Sequence, residues 1–334
     1  MNYIGSKYSL LDFIQESIDE ITGYFDGKEY IFADLFAGTG AVGVLYKKRG
    51  CRVISNDIQY YSYVLNKHFI ENVPVIESAA LMSKMASLSG FPGFIWKNYC
   101  AGSGSGRNYF SDSNGMLCDS IRSELERLYK SGEINDTLYY FFLASLINSI
   151  DKYANTAAVY GAFLKNIKQS ALRKFQLKLL PVIEGRKGKV YNEDVNVLIR
   201  KISGDILYLD PPYNERQYCS NYHVLETIAR YDNPVLKGKT GLRTDSEQKS
   251  KYCSKKFAAE VFDDLLANAD FKYIFLSYNN EGIMNFDTIK KIMSRYGRYE
   301  VRTRQYRRFK ADKEENRNIS AHTTTEFLHC LIKN

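Results

Sequence analysis

Residues Ile31-Phe-Ala-Asp34-Leu-Phe36-Ala-Gly38-Thr-Gly40 decide the fold. An apolar run from Ile31 to Phe36 stops at two glycines, which reads as a buried strand entering a tight turn. Ala41–Lys48 then reads as a helix, so the glycines sit between strand and helix. Glycine at that place lets the backbone turn sharply and lets a ligand approach with no Cβ in the way. Arg52–Ser55 reads as a second strand, and Asp57 lies just past it, where a carboxylate can accept hydrogen bonds from ribose hydroxyls. Gly38, Gly40 and Gly43 also satisfy the spacing G-x-G-x-x-G. This stretch therefore leaves a dinucleotide and a nucleoside cofactor both open.

Working outward, a helical period runs through Leu10, Leu11, Ile14, Ile18 and Ile21, and another helix continues to about Asn72. The rhythm breaks between Ser78 and Arg186, where Ala101-Gly-Ser-Gly-Ser-Gly106 precedes helical patterns at Ile121–Tyr129 and Leu138–Ile150. Strand-like runs return at Lys189–Tyr191, Ile206–Leu209 and Tyr273–Ser277, then at a basic strand from Tyr299 to Arg308 and a final one from Glu326 to Ile332. Alternation of this kind predicts an α/β fold with a doubly wound, largely parallel sheet. The expected organisation is one domain from 1–77 and 187–334, interrupted by an inserted, mainly helical region, 78–186.

A second motif, Asp210-Pro-Pro-Tyr213, follows the apolar strand directly. Consecutive prolines fix φ and remove donors, so they hold a rigid loop at the strand's carboxyl end, where open α/β sheets bind ligands. The loop offers a carboxylate, a carbonyl and an aromatic ring together. That set suits a flat base with an exocyclic amine: Asp210 and the Pro211 carbonyl accept its two hydrogens, and Tyr213 stacks on the ring.

The formal charge is +8 over 334 residues, and its placement matters more than its size. Lys237–Lys256 holds seven basic and two acidic residues, and Arg295–Arg317 nine and four. The remainder is slightly acidic, so local basic surfaces face a polyanion. No run approaches the roughly 20 apolar residues of a membrane span, and no secretory signal opens the chain. Six cysteines lie far apart with no CxxC pair, which points to thiols in a reducing cytoplasm and to no metal site. The 27 tyrosines and 19 phenylalanines suit core packing, and surplus tyrosine also suits surfaces that stack bases.

Taken with Tyr3-Ile-Gly-Ser-Lys7 at the start, the two motifs make the chain resemble the alpha group of adenine-specific DNA methyltransferases. In that group an N-terminal cofactor motif precedes the glycine motif, the target-recognition region and then Asp-Pro-Pro-Tyr. The resemblance runs over nearly the whole chain, and Asn214–Tyr218 with Asn221–Thr227 resembles one restriction–modification branch. It implies a Rossmann-like S-adenosylmethionine-dependent methyltransferase sheet ending in an antiparallel strand, acting on double-stranded DNA with base flipping. It also implies a separate cognate restriction endonuclease as a possible partner. By the same resemblance, Tyr3 and Lys7 contact the cofactor, Lys7 through the methionyl carboxylate. Asp34, Phe36, Gly38 and Gly40 surround the methionyl part, Asp57 meets the ribose, and Asp194, with Glu193 as a rival, meets the adenine. Asp210, Pro211, Pro212 and Tyr213 form the catalytic loop. In the recognition region Arg107, Asn108, Tyr109 and Asn155 are candidates to reach DNA, as are Arg216, Lys237, Lys239 and Arg243 after the catalytic loop. Ser277-Tyr-Asn-Asn280 resembles a later motif in which Tyr278 either supports the base or packs. Methylation of cytosine N4 uses the same loop and stays open as the alternative, alongside a noncatalytic DNA-binding protein.

Overall fold

Along residues 32–34 and 206–209 every side chain is buried, because both faces of these strands are covered. Phe32, Ile206 and Tyr208 pack on one face with Ile14, Ile18, Val42 and Tyr46. Ala33, Leu207 and Leu209 pack on the other with Phe262, Leu265, Ile289 and Met293. Period-2 alternation with both phases apolar is the signature of a central strand in a three-layer α/β sheet.

The computed structural model describes residues 5–23, 30–72, 77–245, 247–307 and 323–334. They fall into two units: Gly5–Glu71, Ile183–Tyr218 and Gln248–Asn334 form one, and Asn72–Val182 with Cys219–Glu247 the other. The first contains a seven-stranded sheet of β1 (Ile31–Asp34), β2 (Arg52–Asn56), β3 (Lys189–Tyr191), β4 (Ser203–Leu209), β5 (Asp270–Asn279), β6 (Gly297–Arg307) and β7 (Thr323–Lys333). Their spatial order is β3-β2-β1-β4-β5-β7-β6. The first five run parallel, and β7 pairs antiparallel with both β5 and β6. The expected α/β sheet with an antiparallel end is thus observed. Because β7 runs against β4, its beginning lies at the same sheet edge as the ends of β1 and β4. Helices Ala258–Asn268 and Phe286–Met293, which the sequence reading passed over, cover one face.

The second unit is mainly helical, built from Phe94–Tyr99, Asp112–Lys130, Asp136–Asp151 and His223–Arg230, with a hairpin of Leu236–Lys237 and Leu242–Arg243. It takes in Cys219–Glu247, which the expected boundaries of 78–186 had left in the other domain. The reason is a buried arginine. Arg122 donates to the carbonyls of Ile228 and Ala229 at 3.0 and 3.1 Å, closing the end of helix His223–Arg230, and pairs with Glu126 at 2.8 Å. Asp119, one turn away, accepts from the amides of Gly93, Ile95 and Trp96 and from the Tyr231 hydroxyl. No described helix is long and apolar enough to cross a membrane.

Replacing Arg122 by Met would leave the Ile228 and Ala229 carbonyls without their donor and take from Glu126 one of its partners, Tyr139 and Lys130 remaining. We expect a loss of about 2–4 kcal/mol in chemical denaturation; a variant as stable as the parent would show that Arg122 does not hold this unit together.

Candidate active site

The turn after β1 is fixed by backbone geometry and by two carboxylates. Gly38 and Gly40 have φ of 51° and 80°, and a Cβ on Gly40 would meet Asn66 Oδ1 at 2.7 Å. Asn66 is buried and donates to the Gly38 carbonyl at 3.1 Å, while Ser55 Oγ donates to its Oδ1 at 3.0 Å. Asp34 Oδ2 accepts from the Gly43 amide at 3.2 Å, and Asp57 Oδ2 from the Gly38 amide at 2.8 Å. Asp57 Oδ1 accepts from the Gln59 amide at 2.8 Å, so this carboxylate shapes the loop as well as facing it. Asp34 Oδ1 is buried with no hydrogen-bond partner. Burial, with Asp210 nearby, pushes the Asp34 carboxyl up to about 8. Phe36 is half-buried and lies edge-on to Tyr252, ring centroids 5.0 Å apart.

Asp210 begins the loop beyond β4, and its carboxylate sits 2.9 Å from Lys7 Nζ. Lys7 is buried and also lies 3.3 Å from Glu326 Oε1, at the start of β7. Burial works against the lysine's charge, but Asp210 and Glu326 outweigh it and hold its pKa well above the ordinary value. Burial raises the Asp210 carboxyl to about 6, with Lys7 opposing the rise and Glu326 adding to it. Ser277 Oγ donates to Glu326 Oε1 at 2.5 Å. The Lys7 contact differs from expectation. Its ammonium pairs with two protein carboxylates rather than standing ready for a methionyl carboxylate, because Glu326 arrives at this edge on the antiparallel strand.

Beyond Asp210, Pro211 is buried, while Pro212 and Tyr213 are half-buried. The Tyr213 carbonyl accepts from the Ile283 amide at 2.9 Å. Its ring stands edge-on to Tyr278, centroids 6.5 Å apart at 83°, with Lys7 Nζ 6.0 Å from the Tyr213 centroid. Tyr278 is 1% exposed and accepts from the Met284 amide through its hydroxyl, so it packs behind Tyr213.

The structure brings Lys7, Asp34, Gly38, Gly40, Asp57 and Asp210–Tyr213 to one sheet edge. Glu193 and Asp194 follow β3, whose end lies at that same edge next to Asn56 and Asp57. Asp194 caps helix Val195–Leu198, accepting from the Asn196 and Val197 amides, and Glu193 pairs with Lys201 at 2.5 Å. Tyr3 lies outside the described residues. Four candidates for DNA contact are corrected. Tyr109 and Asn155 are fully buried: the Tyr109 hydroxyl donates to the Tyr160 carbonyl at 2.6 Å, and Asn155 Nδ2 donates to the Asn108 carbonyl at 2.9 Å. Arg107 donates through all three guanidinium nitrogens to the carbonyls of Asn98, Gly238 and Lys239. Arg243 pairs with Asp232 and Asp245, both at 2.6 Å, with 6% of its side chain exposed. These four polar side chains hold the inserted unit and its hairpin in shape. Asn108 is half-buried, donating to the Leu164 and Lys165 carbonyls, while Arg216, Lys237 and Lys239 are exposed. Glu326 and Asn66 were missed by sequence reading, as no local spacing marks them; Ser277 stood in a motif singled out for its neighbour Tyr278.

With this geometry in place, the comparisons with known proteins decide the family. Residues 3–292 match the model of the D12 class N6 adenine-specific DNA methyltransferases. The chain belongs to that family. The type II methyltransferase M.NlaIII of Neisseria lactamica is 50% identical over 335 residues, covering 100% of this chain and 99% of its own. M.CviAII of Paramecium bursaria Chlorella virus 1 is 35% identical, covering 93% of each chain. M.FokI of Planomicrobium okeanokoites is 40% identical over 93% of this chain, which spans 50% of that longer protein. As a D12-class methyltransferase the chain is an enzyme that acts on DNA, and its cofactor is S-adenosylmethionine. The residues present fit that group. A buried carboxylate oxygen without a donor stands beside a loop of left-handed glycines, suited to a ligand carrying cationic and N–H donors.

Lys7→Met would leave Asp210 and Glu326 buried without their cation. We expect a loss of about 3–5 kcal/mol at pH 8. Asp210 already has a folded value above its unfolded one. Its charge therefore weighs on the folded state above about pH 6, and removing Lys7, which opposes the rise, carries the carboxyl higher still, so the variant's deficit should shrink as the pH falls from 8 toward 6. A deficit that does not vary with pH in denaturation curves would contradict the ion cluster as drawn.

Proposed function

We propose that this enzyme methylates the N6 amine of adenine within a specific double-stranded DNA sequence, as the modification partner of a restriction system, after rotating the target base out of the duplex. The observation that carries the reading is the Asp210–Tyr213 loop: a carboxylate held by a buried lysine, next to a carbonyl and a half-buried aromatic ring. The type II names of the relatives support the restriction–modification setting.

The amine of adenine is a poor nucleophile because its lone pair is delocalised into the ring. Asp210 and the Pro211 carbonyl, accepting one hydrogen each, favour a pyramidal nitrogen whose lone pair is free to attack. That interaction strengthens as the nitrogen gains positive charge, so it lowers the barrier rather than only binding the base. Tyr213 holds the ring plane, and the edge-on Tyr278 behind it keeps the tyrosine from turning away. Asp210 is also the acceptor positioned for the proton that leaves the amine. S-adenosylmethionine, when bound, supplies the activated methyl; Asp34, Gly38, Gly40 and Asp57 are the residues proposed to hold it. An N6 atom inside a stacked duplex is beyond reach of such a loop, which is the argument for extruding the base at a cost of a few kcal/mol. Lys237, Lys239 and Arg216, exposed and cationic, are proposed phosphate contacts, with the half-buried Asn108 as a weaker candidate.

The test is transfer of labelled methyl to unmodified genomic DNA, digested to nucleosides and identified by mass. N6-methyladenine is expected; N4-methylcytosine would overturn the base assignment. Asp210→Ala should abolish turnover while DNA binding persists, and retained turnover would remove Asp210 from the mechanism. The value of about 6 for Asp210 sets a further expectation. Because the ionised carboxylate is the working form, kcat/KM should fall as the pH drops through that value. Tyr213→Ala should weaken capture of the base by roughly 1–3 kcal/mol, read as fluorescence of a 2-aminopurine at the target position.

A further inference from the structure

Glu326 is a buried carboxylate that the mechanism above does not use. It is 1% exposed, in the last strand, and it is linked to Asp210 through Lys7. Two carboxylates, Asp210 at 2.9 Å and Glu326 at 3.3 Å, share one ammonium. A lysine paired with Asp210 alone would neutralise it and draw its charge toward Nζ, leaving a weak acceptor for an amine hydrogen. We propose that Glu326 is a positioning residue that takes part of the Lys7 charge, so that Asp210 stays a strong hydrogen-bond acceptor while remaining fixed in place. The Ser277 hydroxyl tunes this division by donating to the Glu326 oxygen that faces Lys7. The inference rests on the proposed role of Asp210 and deepens it.

Among the described residues, the titratable groups that face Asp210 or its lysine are few. Lys7 comes from the turn preceding the first helix, Glu326 from β7, Asp34 from the end of β1, Tyr208 from β4, and Tyr213 from the loop itself. Of these, Lys7 opposes the rise in the Asp210 carboxyl and Glu326 adds to it. Asp34, raised to about 8 by burial, is protonated across the acid limb. The two tyrosines are neutral there. Among the described groups, Glu326 is therefore the one whose removal changes the charge felt by Asp210 without touching the base or the cofactor loop.

The experiment is the pH profile of kcat/KM for DNA methylation between pH 4.5 and 8.5, measured for the parent, Glu326→Gln and Ser277→Ala, with Asp210→Asn as control. Gln at 326 keeps the shape and can still bond Ser277, but gives Lys7 wholly to Asp210. The acid limb should move down by about one pH unit, with a fall in kcat at the plateau. Removing the Ser277 hydroxyl leaves more of the Glu326 charge to act through Lys7, and the limb should move the other way, upward. A role confined to folding would lower thermal stability in both variants and leave the limb where it is in the parent, and that result would overturn the proposal. If Glu326→Gln does not fold, the upward shift in Ser277→Ala decides alone. Activity in Asp210→Asn would overturn the reading of Asp210 itself; a dead Asp210→Asn with unmoved limbs in the other two would overturn only the role of Glu326.

Discussion

One nitrogen atom, Lys7 Nζ, organises the functional edge of the sheet. A buried ammonium is costly unless it is paired, and here the pairing comes from two directions at once: Asp210 beyond β4 and Glu326 on β7. Those carboxylates are equally costly without the lysine. The turn before the first helix, the catalytic loop and the last strand are therefore mutually dependent at a point where none of them could hold its charge alone. The antiparallel placement of β7 is what makes this arrangement possible. A seventh strand running parallel would bring its carboxyl end, not Glu326, to the edge where β1 and β4 terminate.

The parts of the site that could be read in advance are those encoded by neighbours in the chain. Ile31–Gly40 announces strand, turn and helix within ten residues, and Asp210–Tyr213 needs only its own prolines to become a rigid loop. Glu326 is different. Its meaning depends on Asn279 lying opposite it in the β5–β7 pair and on Ser277 two residues further back, contacts that only the finished sheet creates. The same lack of tertiary context misdirected the reading of Tyr109 and Asn155. Polar side chains on a tyrosine- and asparagine-rich stretch look like a readout surface. Yet their hydroxyl and amide groups are satisfied by carbonyls inside the unit, as buried polar atoms must be. Helix His223–Arg230 escaped notice for a related reason: its seven-residue buried run includes Glu226, which Arg230 pairs, and His223, held by the Ser220 and Thr240 carbonyls.

Within the basic Lys237–Lys256 stretch the one arginine and the lysines behave differently. Arg122 and the Arg243 side chain are buried and Arg107 is half-buried, each placed where a planar fork serves two or three carbonyls or carboxylates at fixed angles. Lys237, Lys239, Lys249, Lys251, Lys255 and Lys256 are exposed. A surplus counted from sequence thus overstates the cationic surface by the arginines that have become framework. What remains outward is a set of compact, well-hydrated charges, suited to a phosphate backbone whose contacts need no fixed geometry.

The ion cluster also bears on how the chain acquires its structure. Lys7 belongs to the first described helical turn and Glu326 to the final strand, so their contact closes one of the longest loops this topology contains. Most of the sheet, β1 to β5, can pair before that loop closes. Contacts of such wide separation form late, after the entropy of closing the loop has been met by other interactions. The chain can therefore reach a largely ordered fold in which Lys7 already faces Asp210 but still lacks its second carboxylate. The final strand then does two things in one step: it completes the sheet and it switches on the electrostatics of the catalytic loop.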